Sequence, residues 1–370
     1  MKTAIVTDFL NQLGGAEIVT QQIASLFPGA DIFTMMAEQK VVDTYFENYR
    51  IIEHPKMKDS RWRRKHYRKL LPLYPTYVED FDLREYDLII SSSYLWAKGV
   101  LRHPEALHIS YVHTPMRQAW VKYHEYLANE NDIGSFTRTA LRYVMNYLRI
   151  WDQSTANRVD HFIANSTVVQ QRIEKIYRRT AEVIHPPIKV EQYDNIEITN
   201  KRDDYYITVG RLVPYKRVDL LIETFNQLPD RKLYILGAGN DMDRLKKLKE
   251  SNNIHFKGFV DEDTKTKLTA GARAFLFAAE EDFGMSPVEA MALGTPVIGF
   301  GKGGTRDYIK PAINGCFFSE QTVASLSRAI RDFEQKQFDR QAIKESVSHF
   351  DEKHFRNRIQ SLINQKLKEH

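Results

Sequence analysis

Residues Glu281-Asp-Phe-Gly-Met-Ser-Pro-Val-Glu289 run directly into Ala-Met-Ala-Leu-Gly-Thr-Pro-Val-Ile298. The first part places two carboxylates eight positions apart across a Phe-Gly loop that opens a helix, and the second part ends in an apolar strand. The apolar run 274–279 comes just before, so Glu281 follows a predicted parallel strand. Ligands bind in open α/β sheets at the carboxyl ends of the strands. The stretch therefore predicts an α/β fold with a site at this edge.

The same stretch has a chemistry of its own. A loop that opens a helix offers free backbone N–H groups and a positive helix end to an anion. Its carboxylates can accept hydrogen bonds from hydroxyl groups. Together they predict binding of a pyrophosphate and sugar hydroxyls, as in a nucleotide sugar. The alternative is a capping box, with Ser286 as N-cap, Pro287 at the first helical position and Glu289 reaching back.

Composition limits the class of protein. A chain of 370 residues favours two domains, and 42% hydrophobic with 27% charged residues is typical of a soluble globular protein. No apolar run approaches 18 residues, and the first residues resemble a strand rather than a signal peptide. The single cysteine, Cys316, excludes an intrachain disulfide and a Cys-based zinc site, and it fits a reducing cytoplasm.

Short apolar runs alternate with amphipathic segments along most of the chain, which predicts parallel sheets covered by helices in two successive sets. The predicted strands are 3–7, 88–91, 108–112, 161–164, 206–209, 232–236, 254–256, 274–277 and 296–299. The predicted helices between them include 16–26, 167–177, 218–227 and 241–250. A Pro-containing polar stretch predicts a linker over residues 185–200. The expected domains are 1–184 and 201–350, with a final helix over 351–370.

Two glycine-containing loops follow predicted strands. Gly14-Gly15-Ala16-Glu17 lets a backbone approach a phosphate or sugar, although an ordinary tight turn is an equal alternative. Val209-Gly-Arg-Leu-Val-Pro-Tyr-Lys-Arg217 opens the second half in the same way. If the chain turns at Pro214, Arg211 and Lys216 converge on one anion and suit a diphosphate. The alternative is two solvated surface cations.

The segment from Tyr111 to Tyr126 combines a strand end with aromatic and polar residues. His113 stands where the strand ends and Pro115 forces a loop, so an imidazole would project from the sheet edge. A lone histidine is more often structural. The following Arg117, Trp120 and Tyr123 suit sugar binding, because aromatic faces pack on pyranose rings, and we assign them to the acceptor.

The densest positive run is Arg61-Trp-Arg-Arg-Lys-His-Tyr-Arg-Lys69. On one helix its apolar residues would share a face and its cations would share the other. Such a segment suits an anionic membrane surface, with nucleic acid and a plain solvated helix as alternatives. The nearby Leu70-Leu-Pro-Leu-Tyr-Pro75 favours lipid. The residues predicted to contact the membrane are Arg61, Trp62, Arg63, Arg64 and Arg68, and those on the shared apolar face are Trp62, His66, Tyr67, Leu70 and Leu71.

Two acidic clusters, Asp241-Met-Asp243 and Asp261-Glu-Asp263, superficially resemble metal ligands. Both precede predicted helices, where acids cap. We interpret both as caps and predict no required metal.

Together these motifs resemble the retaining glycosyltransferases of family 4, which have the GT-B fold of two Rossmann-like domains facing across a cleft. The resemblance rests on Gly-Gly-Ala-Glu after the first strand, His-Thr-Pro-Met-Arg117, Gly-Arg-Leu-x-x-x-Lys-Arg217, and the paired Glu281 and Glu289. Val-Asp-His-Phe-Ile-Ala-Asn-Ser166 and the Glu-Asp-Phe-Gly stretch are similar to the mannosyltransferase branch of bacterial surface polysaccharide synthesis. In this fold the last helix crosses back onto the N-terminal domain.

The resemblance implies roles for individual residues. Arg211 and Lys216 would hold the donor diphosphate, Glu289 the ribose hydroxyls and Glu281 the transferred sugar. His113 would contact the sugar near its 6-hydroxyl. The remaining donor contacts implied are Gly14, Gly15, Val260, Phe283, Gly284 and Met285.

The resemblance also implies an activity: transfer of a hexose with retention, without a metal. Mannose from GDP-mannose is the expected donor and a lipid-linked glycan the expected acceptor. The protein would be cytoplasmic and peripheral on the inner face of the cell membrane, with no nucleic-acid partner. Alternatives are a UDP-sugar donor, a hydrolase, epimerase or sugar-phosphate synthase on the same fold, and a non-catalytic sugar-nucleotide-binding partner.

Overall fold

The computed structural model describes residues 1–12, 14–129, 135–193 and 202–370. The chain divides into two compact units. Unit 1 contains Met1–Pro187 and Phe355–His370, and unit 2 contains Ile188–His354. Residues 194–200 of the predicted linker lie outside the described residues, and a short 3-10 helix, Glu191–Tyr193, precedes them in unit 2.

Unit 1 is built on a parallel sheet of seven described strands. The strands are β1 (Thr3–Thr7), β2 (Asp31–Thr34), β3 (Arg50–Glu53), β4 (Leu88–Ser93), β5 (Leu107–Val112), β6 (His161–Ala164) and β7 (Ala181–Val183). Their order in the sheet is β3-β2-β1-β4-β5-β6-β7. The order reverses beside β1, so the loops after β1, β4 and β5 leave the same edge side by side.

Helices cover both faces of this sheet. They are α1 (Gly15–Ala24), α2 (Gln39–Tyr45), α3 (Pro55–Lys58), α4 (Arg61–Lys65), α5 (Tyr74–Glu79), α6 (Arg117–Trp120), α7 (Tyr123–Asn129), α8 (Ser135–Thr155) and α9 (Thr167–Tyr177). Three 3-10 helices add to them: Tyr67–Leu73, Ala97–Gly99 and Ala156–Arg158. No helix of the described ranges has both the length and the apolar character needed to cross a membrane.

The two faces hold separate cores because side chains alternate along a strand. In β1, Ala4 and Val6 join a cluster with α5 and α8, whereas Ile5 joins a second cluster on the other face. That second cluster includes α1 and the last helix, α17 (Glu352–Glu369). The helix starts in unit 2 and belongs to unit 1 from Phe355 onward.

Unit 2 repeats the plan with a parallel sheet of six described strands. They are β8 (Tyr205–Val209), β9 (Lys232–Leu236), β10 (Ile254–Gly258), β11 (Ala274–Phe277), β12 (Val297–Phe300) and β13 (Gly315–Phe318), in the order β10-β9-β8-β11-β12-β13. Its helices are α10 (Val218–Asn226), α11 (Met242–Leu248), α12 (Glu262–Gly271), α13 (Met285–Ala292), α14 (Thr305–Tyr308), α15 (Val323–Glu334) and α16 (Arg340–Val347), with 3-10 helices Pro214–Lys216 and Ser348–Phe350. Strands buried on both faces read as continuous apolar runs, as 274–277 does.

The predicted fold class, two Rossmann-like domains with parallel sheets, is confirmed, and all nine predicted strands form within two residues of their expected bounds. Four strands were missed: β2, β3, β7 and β13. The basic segment is not the single helix that was expected, because α4 ends at Lys65 and a 3-10 helix containing Pro72 follows. Trp62 is therefore exposed while Leu70 is buried, so the predicted shared apolar face is wrong.

Candidate functional site

In unit 2, the loops after three neighbouring strands leave one edge of the sheet together. Strand β11 lies between β8 and β12. The loop after β8 carries Arg211 and Lys216, and the loop after β11 carries Glu281 and leads into α13. This is the edge at which the sequence placed its donor residues.

Lys216 and Glu281 form an ion pair across these two loops. Their side chains are 18% and 15% exposed, so water screens the pair only in part. The Lys216 ammonium also lies 5.6 Å from the centre of the Phe277 ring, at the end of β11. Arg211 is exposed in the same loop after β8. Sequence reasoning placed both cations on an anion but did not foresee that one of them pairs with Glu281.

Helix α13 begins differently from the predicted capping box. Its N-cap is Gly284, with φ 84°, and Met285 is its first residue. Ser286 is therefore the second residue of the helix and Glu289 the fifth, so the capping alternative is wrong. A side chain at Gly284 would meet the Phe277 ring, since an added Cβ would lie 2.8 Å from its Cζ. Glycine is required here by both its positive φ and the close ring.

Glu289 does not cap α13, and its side chain is 28% exposed. Its carboxylate lies 3.9 Å from the Lys265 ammonium of α12. Burial raises the pKa of Glu289 above its ordinary value, against the opposing effect of Lys265. The carboxylate thus retains acceptor capacity, which a sugar hydroxyl could use.

A glycine pair after β12 supports the Glu281 loop and was missed. The Gly304 N–H donates to the Glu281 carbonyl at 2.8 Å. Gly303 has φ 75°, and a Cβ there would collide with the same carbonyl. The sequence signal was present, since Gly301-Lys-Gly-Gly304 directly follows a predicted strand. The pair fixes the main chain from which Glu281 projects.

The loops after β8 and β9 also pack tightly. The Leu212 N–H donates to the Ala238 carbonyl at 3.0 Å, and a Cβ on Gly237 or Gly239 would collide with carbonyls of the β8 loop. Beyond them, after β10, the Phe259 side chain is 88% exposed, while Val260 packs against the unit 2 core. The loops after β8, β9 and β10 therefore lie side by side along one part of the sheet edge.

The two acidic clusters have structural roles. Asp261 caps α12 by accepting from the Thr264 N–H at 2.8 Å, as predicted. Asp241 precedes α11, but its carboxylate binds the Arg244 guanidinium through two bonds of 2.7 Å instead of a helix N–H.

In unit 1, a buried carboxylate that sequence reasoning missed organises the sheet edge. Asp8 follows β1 and accepts four backbone N–H bonds of 2.6–2.9 Å from residues 94–97, after β4. Burial raises the pKa of Asp8 to about 6, although the four donors oppose that shift. Asp8 thus holds the loop after β4 in place.

His113 follows β5 beside this loop. Its Nε2 lies 2.9 Å from the Ser92 hydroxyl, which accepts from Thr20 of α1 at 2.8 Å. The Tyr94 and Tyr111 rings flank the imidazole, with centres at 6.3 and 5.2 Å. His113 is therefore oriented by three elements of unit 1.

The Gly14-Gly15 pair starts α1, with Gly14 as the N-cap in an extended conformation. A Cβ on Gly14 would lie 2.9 Å from the Glu17 carboxylate. The sequence predicted that a phosphate or sugar approaches this glycine. In the structure the group closest to the position of a Cβ is the Glu17 carboxylate of the same helix.

Of the residues assigned to the acceptor, Trp120 is engaged inside unit 1. Its indole N–H donates to Asp152 at 2.7 Å, and Asp152 is fully buried. Asp152 also forms an ion pair of 2.9 Å with the buried Lys98 and accepts from the Tyr177 hydroxyl. Burial lowers the pKa of Lys98. Trp120 therefore braces α6, the helix that follows His113.

The other two assigned residues lie nearby. Arg117 begins α6 and is half-buried. The Arg149 guanidinium lies 4.7 Å from the centre of the Tyr123 ring. One face of that aromatic ring is therefore occupied by a cation.

The predicted membrane arginines divide into two groups. Arg64 donates to Glu53 at 2.6 Å and to the Ala37 carbonyl, and Arg63 donates to the Lys56 carbonyl at 3.0 Å. Arg61 and Arg68 are exposed, and the Arg68 guanidinium donates to the Tyr67 hydroxyl at 3.1 Å. Three of the four predicted arginines thus make hydrogen bonds within unit 1.

Two family models match the chain in succession. Residues 13–192 match Glycosyltransferase Family 4, and residues 189–349 match Glycosyl transferases group 1. A glycosyltransferase of Methanocaldococcus jannaschii is 34% identical over 127 residues, which are 32% of this chain and 33% of that protein. The lipopolysaccharide core biosynthesis glycosyltransferase LpsE of Rhizobium meliloti is 27% identical over 180 residues, 46% of this chain and 53% of LpsE. The matches span about a third to a half of these two relatives.

A solved structure extends the likeness to nearly the whole chain. HepE of Anabaena, in complex with UDP-glucose, superimposes with a TM-score of 0.67 at 18% identity over 99% of this chain and 100% of HepE. At that identity the likeness supports the fold. The chain thus has the GT-B fold of two parallel-sheet units, and its two halves are similar in succession to two families of glycosyltransferases.

Proposed function

We propose that the protein is a retaining hexosyltransferase that takes mannose from GDP-mannose and delivers it to a lipid-linked oligosaccharide or glycolipid in cell-surface polysaccharide synthesis. One observation carries the proposal. A cationic loop, a carboxylate and a glycine-capped helix start, represented by Lys216, Glu281 and Gly284, meet at one edge of the unit 2 sheet. That set matches the separate parts of a nucleotide sugar.

The donor diphosphate is assigned to Arg211, Lys216 and the start of α13. A guanidinium and an ammonium supply charge, and the first N–H groups of an eight-residue helix supply directed donors. Phe283 and Met285 flank this helix start, so their backbone N–H groups are assigned to the same oxygens. Two cations and a helix end can neutralise a departing diphosphate, so the proposed reaction requires no metal ion.

The sugar and ribose hydroxyls are assigned to Glu281 and Glu289. Lys216 would contact both Glu281 and the diphosphate. The Glu281 carboxylate, assigned to the transferred sugar, would then lie next to the bond that breaks. Glu289, the fifth residue of α13, is 28% exposed beside Lys265 and is assigned to accept from the ribose hydroxyls.

In unit 1, we assign His113 to the transferred sugar, since it follows β5 and is oriented by Ser92. Gly14 and Gly15 are assigned to the donor phosphate, and Arg117 and Tyr123 to the acceptor. Trp120 is assigned to the acceptor because it lies in α6 with Arg117. Its indole N–H donates to Asp152, so it would contact an acceptor through its ring.

The chemistry proposed is substitution on one face of the sugar. The bond from the anomeric carbon to the phosphate oxygen breaks, the acceptor oxygen bonds to the same face, and the departing phosphate takes the acceptor proton. The protein then has to stabilise the leaving charge and position the acceptor. A nucleophile and general acid pair, as in a retaining glycosidase, is not part of this scheme.

A UDP-sugar donor is the second candidate, and the specific observation in its favour is that HepE was solved with UDP-glucose. The two candidates share every contact proposed here except those to the base. We place the base near Phe259 and Val260, where no described side chain selects guanine over uracil.

The test is thermal unfolding of the wild type and Glu289→Ala with GDP, UDP, ADP and their sugar conjugates. A ligand at about 100 times its Kd stabilises by about 2.7 kcal/mol, which shifts a midpoint by several degrees. We expect a shift with GDP-mannose that is lost in the variant. A shift with UDP sugars alone would overturn the donor, and no shift with any nucleotide would overturn the proposed function.

A further inference from the structure

Tyr308, the last residue of α14, places a hydroxyl without a partner inside unit 2. Its side chain is 1% exposed, and among the residues that the structure describes none forms a hydrogen bond with this hydroxyl. A buried hydroxyl without a partner lowers stability, because its bonds to water have been lost. A phenylalanine ring would fill the same space without that cost. Buried polar groups in folded proteins are nearly always bonded, so the hydroxyl calls for an explanation.

The hydroxyl lies beside the start of α13. A Cβ added at Gly284, the N-cap of that helix, would lie 3.3 Å from the Tyr308 hydroxyl oxygen and 2.8 Å from Cζ of Phe277. The Tyr308 ring meets the Phe283 ring edge-on, with ring centres 5.4 Å apart. The hydroxyl is therefore aimed at the turn that connects Glu281 to α13.

Glu281 is the charged side chain of this turn, and its charge acts on the hydroxyl. The Glu281 Oε1 atom is shielded from water, as the Tyr308 oxygen is. Burial raises the pKa of Tyr308, and the charges of Glu281 and Asp307 raise that pKa further, so the hydroxyl keeps its proton at neutral pH. A protonated hydroxyl can donate a hydrogen bond, whereas a carboxylate only accepts. The two groups are thus a complementary donor and acceptor in one neighbourhood.

The main chain fixes Tyr308 relative to the Glu281 loop. The Gly304 N–H, one turn before Tyr308, donates to the Glu281 carbonyl at 2.8 Å. The Thr305 hydroxyl donates to the last carbonyl of β12 at 2.6 Å, and the Asn314 amide donates to the Tyr308 carbonyl at 2.9 Å. Both of these anchoring side chains are fully buried. Helix α14 and the Glu281 loop are therefore tied together, and the position of the hydroxyl is set by the fold.

We propose that Tyr308 is a positioning residue of the donor site, and that its hydroxyl donates to the Glu281 carboxylate when a nucleotide sugar binds. This deepens the proposed function, on which it rests. In the free protein Glu281 pairs with Lys216, and the diphosphate of the donor would draw the same ammonium. A carboxylate that is 15% exposed then loses part of its compensating charge. The Tyr308 O–H replaces it, keeps its own proton, and holds the carboxylate toward the transferred sugar.

A purely structural role is the competing interpretation. Tyr308 belongs to the core cluster of unit 2, and its ring alone would account for that packing. The two interpretations differ in what the hydroxyl does. If only the ring matters, removing the hydroxyl relieves a burial cost and leaves donor binding unchanged. If the hydroxyl serves Glu281, removing it weakens donor binding although the free protein is at least as stable as before.

The experiment compares Tyr308→Phe with the wild type by thermal unfolding and by calorimetric titration with GDP-mannose and, separately, with UDP-glucose. We expect the free variant to unfold at the wild-type temperature or above it, because an unpaired buried hydroxyl has been removed. We expect its affinity for the nucleotide sugar that the wild type binds to fall about 10- to 100-fold. That is the range for a hydrogen bond to a charged group.

Tyr206→Phe is the matched control. Tyr206 is also 1% exposed, but its hydroxyl donates to Glu334 at 2.8 Å. Its loss should lower the unfolding temperature and leave nucleotide-sugar affinity unchanged. The two variants remove the same atom from the same core, so opposite effects on stability and affinity would separate positioning from packing.

The dependence on Glu281 is tested with a double-mutant cycle. In a Glu281→Ala background, Tyr308→Phe should lower affinity no further, because the acceptor of its hydrogen bond has gone. An equal loss in both backgrounds, or wild-type affinity in Tyr308→Phe alone, would overturn this inference and leave the proposed function standing. No binding of any nucleotide by the wild type would overturn the proposed function and this inference with it.

Discussion

Lys216 and Glu281 come from loops after neighbouring strands and form an ion pair that is less than one-fifth exposed on either side. The pair joins a predicted phosphate ligand to a predicted sugar ligand before any donor arrives. Each charge orients the other, so in the proposed site Lys216 is already held beside Glu281 when the diphosphate binds. Preorganised charge of this kind is the largest contribution in many enzymes.

We expect Lys216→Ala to lower the rate of sugar transfer by about 100-fold or more, because a donor aimed at developing charge is removed. It should also destabilise the fold by about 1–2 kcal/mol, since Glu281 is left without its cation. Adding Glu281→Ala should recover part of that stability and none of the activity. Transfer assays and urea unfolding measure both, with Lys267→Ala on the exposed face of α12 as the control. A double variant less stable than both single variants would contradict this coupling.

Glu289 gives a prediction for pH. Burial raises its pKa above the ordinary value of 4.5, so in the folded protein it binds a proton more readily than in the unfolded chain. Its ionisation opposes folding, and its contribution to stability declines as pH rises through the folded pKa. In the proposed donor site we expect nucleotide binding to have the opposite dependence, because only the ionised carboxylate of Glu289 accepts from two ribose hydroxyls.

We therefore expect nucleotide affinity to fall as pH is lowered from neutral toward 4.5, and this dependence to vanish in Glu289→Gln. The variant should unfold at or above the wild-type temperature at neutral pH, since a neutral amide avoids the burial cost. Calorimetric titration over this range checks the first part. An unchanged pH dependence in the variant would remove Glu289 from the donor site.

Gly303 offers a test of the loop that supports Glu281. With φ 75° and a carbonyl in the space of a Cβ, Gly303→Ala must strain or move the Glu281 loop. A left-handed conformation costs an ordinary residue about 1–2 kcal/mol, before the collision is counted. We expect lower stability by urea unfolding and a reduced thermal shift with nucleotide. Gly29→Ala, where an added Cβ meets nothing within 4 Å, should change neither.

The buried pair of Lys98 and Asp152 should be far more sensitive than surface pairs. Asp152→Ala strands a buried ammonium and removes the partner of the Trp120 indole, so we expect a loss of about 3–5 kcal/mol. Lys98→Met combined with Asp152→Asn should recover a substantial part of it. Asp82→Ala, which breaks the exposed pair with Arg84, should leave stability unchanged. Denaturant unfolding compares all three, and equal effects of the buried and exposed changes would contradict the argument.

How much the sequence could predict depended on the range of the interaction. The strand 274–277 and the loop after it were predicted correctly, because a strand buried on both faces has a continuous apolar sequence. Strand β3, Arg50–Glu53, was missed because it is short and flanked by charge, and only its pairing with β2 makes it a strand. The local pattern of apolar residues does not indicate which distant strand a segment pairs with.

The candidate site shows the same limit. Its motif residues were identifiable, since glycines and charges follow predicted strands. The start of α13 was misplaced because Ser286-Pro-Val-Glu289 satisfies a local capping rule, whereas the Phe277 ring and the positive φ of Gly284 decide the helix start. Asp8 was missed because its four donors lie 86–89 residues away.

Because the last helix belongs to unit 1, that unit is completed only after unit 2 has been synthesised. Phe355, Ile359 and Ile363 pack in the same core cluster as Ile5 and Ile23. The ribosome therefore makes the first strand more than 300 residues before the helix that covers it. Until residues 355–370 emerge, this face of unit 1 lacks one of the helices that cover it, while the whole sequence of unit 2 has already been made. Of the two units, the one whose synthesis starts earlier is therefore completed later, and loss of the final turns of α17 would damage unit 1 rather than unit 2.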